Sequence, residues 1–284
     1  MKRAFLLSSI LLVVAGCARL ASIPYTPKQT PESWLTIQPY ITIKFHTIDF
    51  ILVQPSSSIF VYLLGFVALG VGAYFLRVRS THKSRLWWGI ALLLWGLGAL
   101  LAGTSYQAFS FEIKCEGQQY CSWTSWWEVF YLLFSAASVD AMVVAEAFSC
   151  LTGKRRRVLI TYAGINLGLY LLLVLVGVMT LDVFLISFEL LLIVTIPNIV
   201  FLFFLNTWRY KENKARLDLA LIIAWIWLGL TFIAYFFYLF RDITAGLWAQ
   251  GVWFSENDVL HIGLIIWMVY IGRFVLPEVL DKEF

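Results

Sequence analysis

Charged residues are scarce in this chain. Of its 284 residues only 13% are charged, 61% are hydrophobic, and the mean hydropathy is +0.82. Because a soluble domain carries about a quarter charged residues, the chain has too little polar surface for a soluble globule, and most of it must face lipid or other apolar helices. The net charge of +4 comes from residues at predicted helix ends, so we expect membrane lipids and no nucleic acid among its partners.

Histidine is also rare, and the positions of lysine and histidine exclude two cofactors. A bis-histidine haem needs paired histidines within spans, but His46 and His82 lie outside them. A retinal protein needs a lysine in its last helix, and residues 257–276 contain none. The chain has no phosphate-binding glycine loop, zinc-protease helix motif or nucleophile elbow. We therefore expect no cofactor.

Long apolar runs dominate what remains. A membrane span needs roughly 20 mostly apolar residues. After the N-terminal segment, seven runs meet this requirement, and they predict an all-α membrane protein with a seven-helix bundle: 58–76, 86–106, 127–151, 158–180, 182–206, 217–240 and 257–276.

The short loops between these runs carry very unequal charge. Three alternate loops hold four basic residues each, whereas the loops between them hold only Lys114 and Arg241. Cytoplasmic loops carry the Lys/Arg excess, so the N-terminus is predicted outside and the C-terminus inside, which agrees with seven passes. The basic residues are Arg77, Arg79, Lys83, Arg85, Lys154, Arg155, Arg156, Arg157, Arg209, Lys211, Lys214 and Arg216.

The N-terminus has the form of a secretory signal. Lys2 and Arg3 precede an apolar run that ends in small residues before Cys17. The stretch 14–17, Val-Ala-Gly-Cys, also resembles the lipobox of bacterial lipoproteins, which implies lipidation of Cys17 and predicts a bacterial inner-membrane location. The alternative is an uncleaved first helix that contains a cysteine.

These patterns divide the chain into four predicted parts. They are a signal segment (1–16), an exported, mostly irregular segment (17–57), the transmembrane domain (58–276) and a cytoplasmic tail (277–284). Within the exported segment, residues 40–53 alternate between apolar and polar, which is consistent with either a short strand pair or an amphipathic piece on the outer face.

Two cysteines lie six residues apart in one predicted outside loop. An oxidising compartment allows Cys115 and Cys121 to form a disulfide that shapes this loop, and two free thiols are the alternative. Cys150 falls at the inner end of a predicted helix, where we interpret it as a small apolar residue.

Polar groups inside predicted spans are the candidate functional residues, because burying them in lipid is costly. Asp140 and Glu189 are predicted to line an internal cavity. Asn257 and His261 share a helix face near the outer interface, where Gln107 ends the second helix. Bonding to a neighbouring helix is the alternative for His261, and a solvated helix end is the alternative for Gln107. Glu146 is expected to pair with the basic cluster at 155–157.

Glycines in the first two spans predict close helix packing. Gly65, Gly70 and Gly72 lie in the first span, and Gly89, Gly96 and Gly98 lie in the second. Small residues let backbones approach closely within a membrane.

This arrangement resembles the CREST superfamily, which includes alkaline ceramidases, progestin and adipoQ receptors and Per1-like proteins. The family has a histidine at the end of its second helix, where this chain has Gln107, and two histidines opening its seventh helix, where this chain has Asn257 and His261. Asp140 is the candidate for the family's third-helix aspartate. The resemblance implies a zinc hydrolase site, but amide side chains are poor zinc ligands, so a metal-free member is predicted.

The sequence leaves three functions open. The preferred hypothesis is a non-catalytic protein that binds a lipid or small amphiphile in an outward-facing polar cavity, or acts as a sensor or partner. The second is a metal-dependent hydrolase of a lipid amide or ester that uses His261 and Asp140. The third is a proton-coupled transporter that uses Asp140 and Glu189.

Overall fold

Seven long helices form the protein, in a computed structural model that describes residues 19–45 and 48–282. Each helix is long and apolar enough to cross a membrane, and we number them as the first to seventh spans. The chain is therefore a multi-pass membrane protein by the length and composition of its helices. The spans are Pro55–Arg77, Lys83–Ala108, Trp126–Cys150, Gly153–Thr180, Phe188–Asn213, Arg216–Phe240 and Glu256–Glu278.

The fifth span differs most from its predicted position. It was expected at 182–206, but it begins at Phe188 and continues to Asn213. Residues 181–187 form a turn despite their apolar side chains, and the Ser187 hydroxyl caps the helix by accepting from the Leu190 N–H at 3.3 Å. Glu189, which the predicted bounds placed eight residues into this span, therefore lies in the first helical turn and is exposed. Arg209, predicted in a loop, is inside the helix.

One end of the bundle carries a β-hairpin, and we call it the hairpin end. Strand β1 (Tyr40–Phe45) pairs antiparallel with β2 (Ile48–Val53). A short helix, Pro31–Thr36, precedes the hairpin. The segment before the first span is thus more regular than predicted, and of the two forms left open for residues 40–53 the structure has the strand pair.

The loop between the second and third spans packs against this hairpin. Its short helix, Ser110–Lys114, places the Glu112 carboxylate 2.5 Å from the Ile51 N–H of β2. Cys115 and Cys121 are joined by a disulfide in the same loop. Cys17, the lipidation candidate, and the signal segment 1–16 lie outside the described residues.

The opposite end, which we call the basic end, contains the three arginine- and lysine-rich connections. The C-terminal tail crosses it. The Asp281 carboxylate accepts from the N–H groups of Lys83 and Ser84, each at 2.8 Å, and so caps the second span. The Lys282 N–H donates to the Phe148 carbonyl of the third span at 2.9 Å.

Close glycine contacts join the first and second spans. A Cβ added to Gly96 would lie 2.9 Å from the Gly65 carbonyl oxygen, and one added to Gly72 would lie 3.0 Å from that of Gly89. The predicted close approach is confirmed at these four positions. A Cβ on Gly70 would meet nothing within 4 Å, and Gly98 faces the third span instead.

The spans differ strongly in how far the bundle encloses them. The third span packs on the second, fourth and fifth spans. It is the most buried span, because 67% of the residues in its most apolar 18-residue stretch are buried. The fourth span is the least buried, with 22% enclosed. The third span is therefore the centre of the bundle and the fourth lies at its edge.

Candidate functional site

The second span ends in a π-helical turn, Gly103–Ala108, which aims Gln107 into a cavity at the hairpin end. The first turns of the seventh span supply Asn257 and His261 to the same cavity. The structure therefore brings together three of the five residues that the sequence singled out. π-Helical turns inside α-helices are frequent at functional sites.

This polar chamber has a volume of about 350 Å³. At about 30 Å³ per water molecule it has room for roughly ten waters, and its size lies within the usual range of ligand pockets. Its wall includes Glu256 and three tyrosine side chains but, among the described residues, no lysine or arginine. The tyrosines are Tyr106, Tyr131 and Tyr235.

Three polar side-chain atoms of this wall are buried without a partner among the described residues, and one of them is Oε1 of Gln54, whose amide nitrogen donates to Gln38 at 3.0 Å. The Gln107 side-chain oxygen and the His261 Nδ1 atom are both buried without a hydrogen bond. The two side chains are only 5% and 7% exposed. A buried polar group left unpaired costs about 1–3 kcal/mol, so these two atoms need an explanation that protein contacts do not supply.

A smaller, mostly apolar chamber of about 130 Å³ adjoins the first. The two chambers share the side chains of Ala102, Tyr131, Phe188, Leu260 and His261. The inner chamber reaches residues near the middle of the bundle, including Trp95, Leu192 and Thr195. The combined shape is a polar opening followed by an apolar interior.

Glu189 does not line either chamber. Its neighbour Phe188 does, and the exposed Glu189 carboxylate lies within electrostatic range of Tyr106 and Tyr235. Glu189 therefore lies near the opening of the polar chamber and does not line an internal cavity, although it was predicted to do so.

Asp140 belongs to a different cluster, in the middle of the third span. Its carboxylate accepts from the Asn166 amide at 3.0 Å and from the Asn198 amide at 3.1 Å. The Tyr162 hydroxyl donates to Asn198 at 2.6 Å. Asp140 is 3% exposed, so its charge is compensated by amide donors of the fourth and fifth spans, and it does not join Gln107 and His261.

Glu146 also differs from its predicted pairing. Instead of contacting the basic cluster at 155–157, its carboxylate accepts from the Asn206 amide at 2.8 Å. Nearby, Arg209 donates to Asp218 at 2.9 Å, and Asp218 is completely buried. Sequence reasoning missed this cluster because it placed Arg209 in a loop. A sequence signal was present, because Asn206 and Arg209 are three residues apart and therefore share one face of the fifth span.

A second missed group is the buried ion pair at the hairpin end. Lys114 pairs with Glu128, and the two side chains are 1% and 2% exposed. The ammonium group lies over the ring of Tyr106 and donates to the Tyr25 hydroxyl at 3.2 Å. The Ser105 hydroxyl donates to Glu128 at 2.8 Å. Lys114 was visible in the sequence as a lone basic residue in its loop.

This environment changes the proton affinity of Lys114. Burial alone lowers the pKa of its ammonium group, but the attraction of Glu128 and Tyr25 raises that pKa above its ordinary value. Lys114 is therefore charged at every physiological pH, and it fixes the N-terminal segment to the loop between the second and third spans.

The metal ligands implied by the resemblance are not gathered in one place. Among residues 19–45 and 48–282, no three histidine, cysteine, aspartate or glutamate side chains are close enough to hold a metal ion. The residues of the polar chamber instead offer amide, imidazole and phenol groups and the single carboxylate of Glu256.

No protein-family model matches the chain, and searches of curated proteins and of solved structures found no match either.

Proposed function

We propose that this membrane protein binds a small amphiphile in the two adjoining chambers, without chemistry, as a sensor or partner protein. The head group would lie in the polar chamber among Gln107, Asn257 and His261. The hydrocarbon part would extend into the apolar chamber towards Trp95. The observation that supports this proposal is the pair of unpartnered atoms, Gln107 Oε1 and His261 Nδ1, in the chamber wall.

The chamber wall favours an uncharged head group that donates hydrogen bonds. Gln107 Oε1 is an acceptor, and a neutral imidazole offers an acceptor or a donor at Nδ1. An anionic head would find Glu256 and no lysine or arginine among the described residues of the wall. Hydroxyl and amide heads, such as those of a monoacylglycerol or a fatty-acid amide, meet these requirements.

The charge of the loops favours placing this opening on the outer side of the membrane. The lysine- and arginine-rich connections are at the other end of the bundle, and the excess of such residues marks the cytoplasmic side. With the predicted signal segment, and lipidation at Cys17, this would make the protein a receptor-like component of a bacterial inner membrane.

A binding measurement tests this proposal. The full chain in phosphatidylcholine nanodiscs is titrated with 1-monooleoylglycerol, and binding is followed by native mass spectrometry. The Gln107→Leu/His261→Phe variant removes Gln107 Oε1 and His261 Nδ1 while keeping the shape of the wall. Gln250→Leu changes the exposed Gln250 outside the cavity and serves as the control. Loss of two uncharged hydrogen bonds lowers affinity about 25-fold, and equal binding by both variants would contradict the proposal.

A metal-dependent hydrolase is the second candidate, and the unpartnered His261 Nδ1 is the observation that favours it. Elemental analysis of the purified protein tests it, with His261→Ala as the control. Stoichiometric zinc that disappears in the variant would support hydrolysis of a lipid amide or ester. Zinc absent from both samples would remove this candidate and leave amphiphile binding.

The third hypothesis, a proton-coupled transporter, depends on Asp140. In the structure this carboxylate accepts from two asparagine amides and lines neither chamber. These contacts favour a structural role in joining the third, fourth and fifth spans.

A further inference from the structure

An open groove separates the fourth span from the fifth at the basic end. Its volume is about 1000 Å³, and its lining includes Lys154 and Arg155 at the start of the fourth span and Trp208 near the end of the fifth. It lies at the opposite end of the bundle from the polar chamber, and its lining includes none of the chamber's residues.

The walls of this groove are apolar and its inner limit is polar. Val158, Leu159 and Phe201 line the walls. Tyr162 lies deepest along the fourth span, where its hydroxyl donates to Asn198 of the fifth. At 1.5 Å per residue, Tyr162 is about 10 Å from Arg155 along the helix axis. The groove therefore extends from the headgroup level into the hydrocarbon region, as the upper part of a phospholipid does.

The cations at the groove opening have no acidic partner in the described part of the chain. Within residues 19–45 and 48–282, ion pairs join Lys114 to Glu128 and Arg209 to Asp218. Lys154 and Arg155 are exposed and take part in neither pair. Lys154 also lines an adjoining hollow of about 530 Å³ together with Arg157.

We propose that this groove binds one anionic glycerophospholipid from the surrounding bilayer. The phosphate would contact Lys154 and Arg155, since arginine binds phosphate oxygens through paired N–H groups. The first part of an acyl chain would lie along Val158 and Leu159. Trp208 would lie at headgroup level, where tryptophan is enriched. Basic pockets between spans bind anionic headgroups in this way.

Lipid retention tests this proposal directly. The full chain is reconstituted in nanodiscs of phosphatidylcholine with one fifth phosphatidylglycerol. Native mass spectrometry then counts the phosphatidylglycerol molecules that stay bound when the protein is released from the nanodisc. In Lys154→Gln/Arg155→Gln we expect retention to fall about fivefold for each cation removed. The control, Arg77→Gln/Arg79→Gln, removes the same charge from exposed residues at the same end and outside the groove. It should retain the lipid as the unchanged protein does.

A second variant separates the groove from a general attraction of charges. Val158→Trp fills the groove and keeps every cation, so it should also release the lipid. Leu172→Trp adds the same side chain to an exposed position of the fourth span outside the groove, and it should have no effect.

Two outcomes would overturn the proposal. Equal losses in the two charge variants would mean that the lipid is held by the overall field of the basic end. A dimer in the mass spectra that dissociates in Val158→Trp, with no lipid retained in the unchanged protein, would mean that a second copy of the chain occupies the groove.

Discussion

Two sets of buried polar groups in the described part of the chain differ in whether they have a partner. Lys114, Glu146 and Asp218 each have a charged or amide partner from another part of the chain. Gln107 and His261 are also buried, but their Oε1 and Nδ1 atoms have no partner among the described residues. Because leaving a buried group unpaired costs more than a made bond contributes, the first set stabilises the fold. The second set lowers the stability of the fold, and under the proposed function it keeps its bonding capacity for a ligand.

Removing one member of a buried ion pair should have the largest effect. Lys114→Met leaves the buried Glu128 carboxylate with the Ser105 hydroxyl but without its cation, and breaking a buried ion pair in this way costs about 3–5 kcal/mol of stability. Thermal unfolding in detergent measures this cost. The control is Lys28→Met, because Lys28 is exposed over the Tyr120 ring and should be replaceable without measurable loss. Equal melting temperatures for the two variants would mean that the Lys114–Glu128 pair does not stabilise the fold.

Removing a neutral partner should cost less. Asn206→Leu takes away the amide that donates to Glu146, and the unpaired carboxylate then costs about 1–3 kcal/mol. The control is Asn213→Leu, since Asn213 is the exposed last residue of the same helix. Thermal unfolding should show a clear loss for the first variant and little for the second. A larger loss at Asn213 would contradict the structural role of the Glu146 cluster.

The unpartnered atoms should respond in the opposite way. Gln107→Leu removes a buried acceptor that has no partner, so the free energy of unfolding should stay constant or rise by about 1 kcal/mol. Binding of 1-monooleoylglycerol should weaken about fivefold in the same variant, corresponding to one lost hydrogen bond. A fall in stability as large as that of Asn206→Leu would mean that Gln107 is a structural residue.

The smallest expected effect concerns the cap of the second span. Asp281→Ala removes acceptors for two helix N–H groups, which costs about 1 kcal/mol. Burial alone raises the pKa of Asp281, but the N–H groups of Ser84 and Lys83 hold that pKa below its ordinary value. Its stabilisation is therefore present above the ordinary pKa of about 3.9 and is lost as the pH falls through the lower folded-state value.

Unfolding measured from pH 6 down to pH 3 checks this sign. The difference between the protein and Asp281→Ala should shrink at the acid end. Glu212→Ala, at an exposed carboxylate of the fifth span, serves as the control and should show no such convergence. A difference that grows on acidification would contradict the cap.

The sequence was sufficient to predict the seven spans, because each apolar run is close to the length that a membrane requires. It failed at residues 181–187, where an apolar turn has the composition of a helix, and this error displaced Glu189 and Arg209. The sequence also could not predict which polar side chains bond to each other across different spans. Asp140 meets Asn166 and Asn198 across two other spans, and no periodicity within one helix indicates which neighbour faces it.

The candidate site shows the same limit. The spacing of Asn257 and His261 placed them on one helix face, as the structure has them. Their meeting with Gln107 depends on a π-helical turn, which no apolar pattern reveals. Lys114 could be noticed for its isolation in the loop, but its burial depends on Tyr25 and Glu128, which come from distant parts of the chain.

The cap that Asp281 places on the second span also has a consequence for the order of synthesis. Lys83 and the aspartate that accepts its N–H are 198 residues apart in the chain. At about 5–20 residues per second, roughly 10–40 seconds pass between the synthesis of the helix start and that of its cap. During that interval the second span lacks this cap, and the tail can close the basic end only after the other spans have been made.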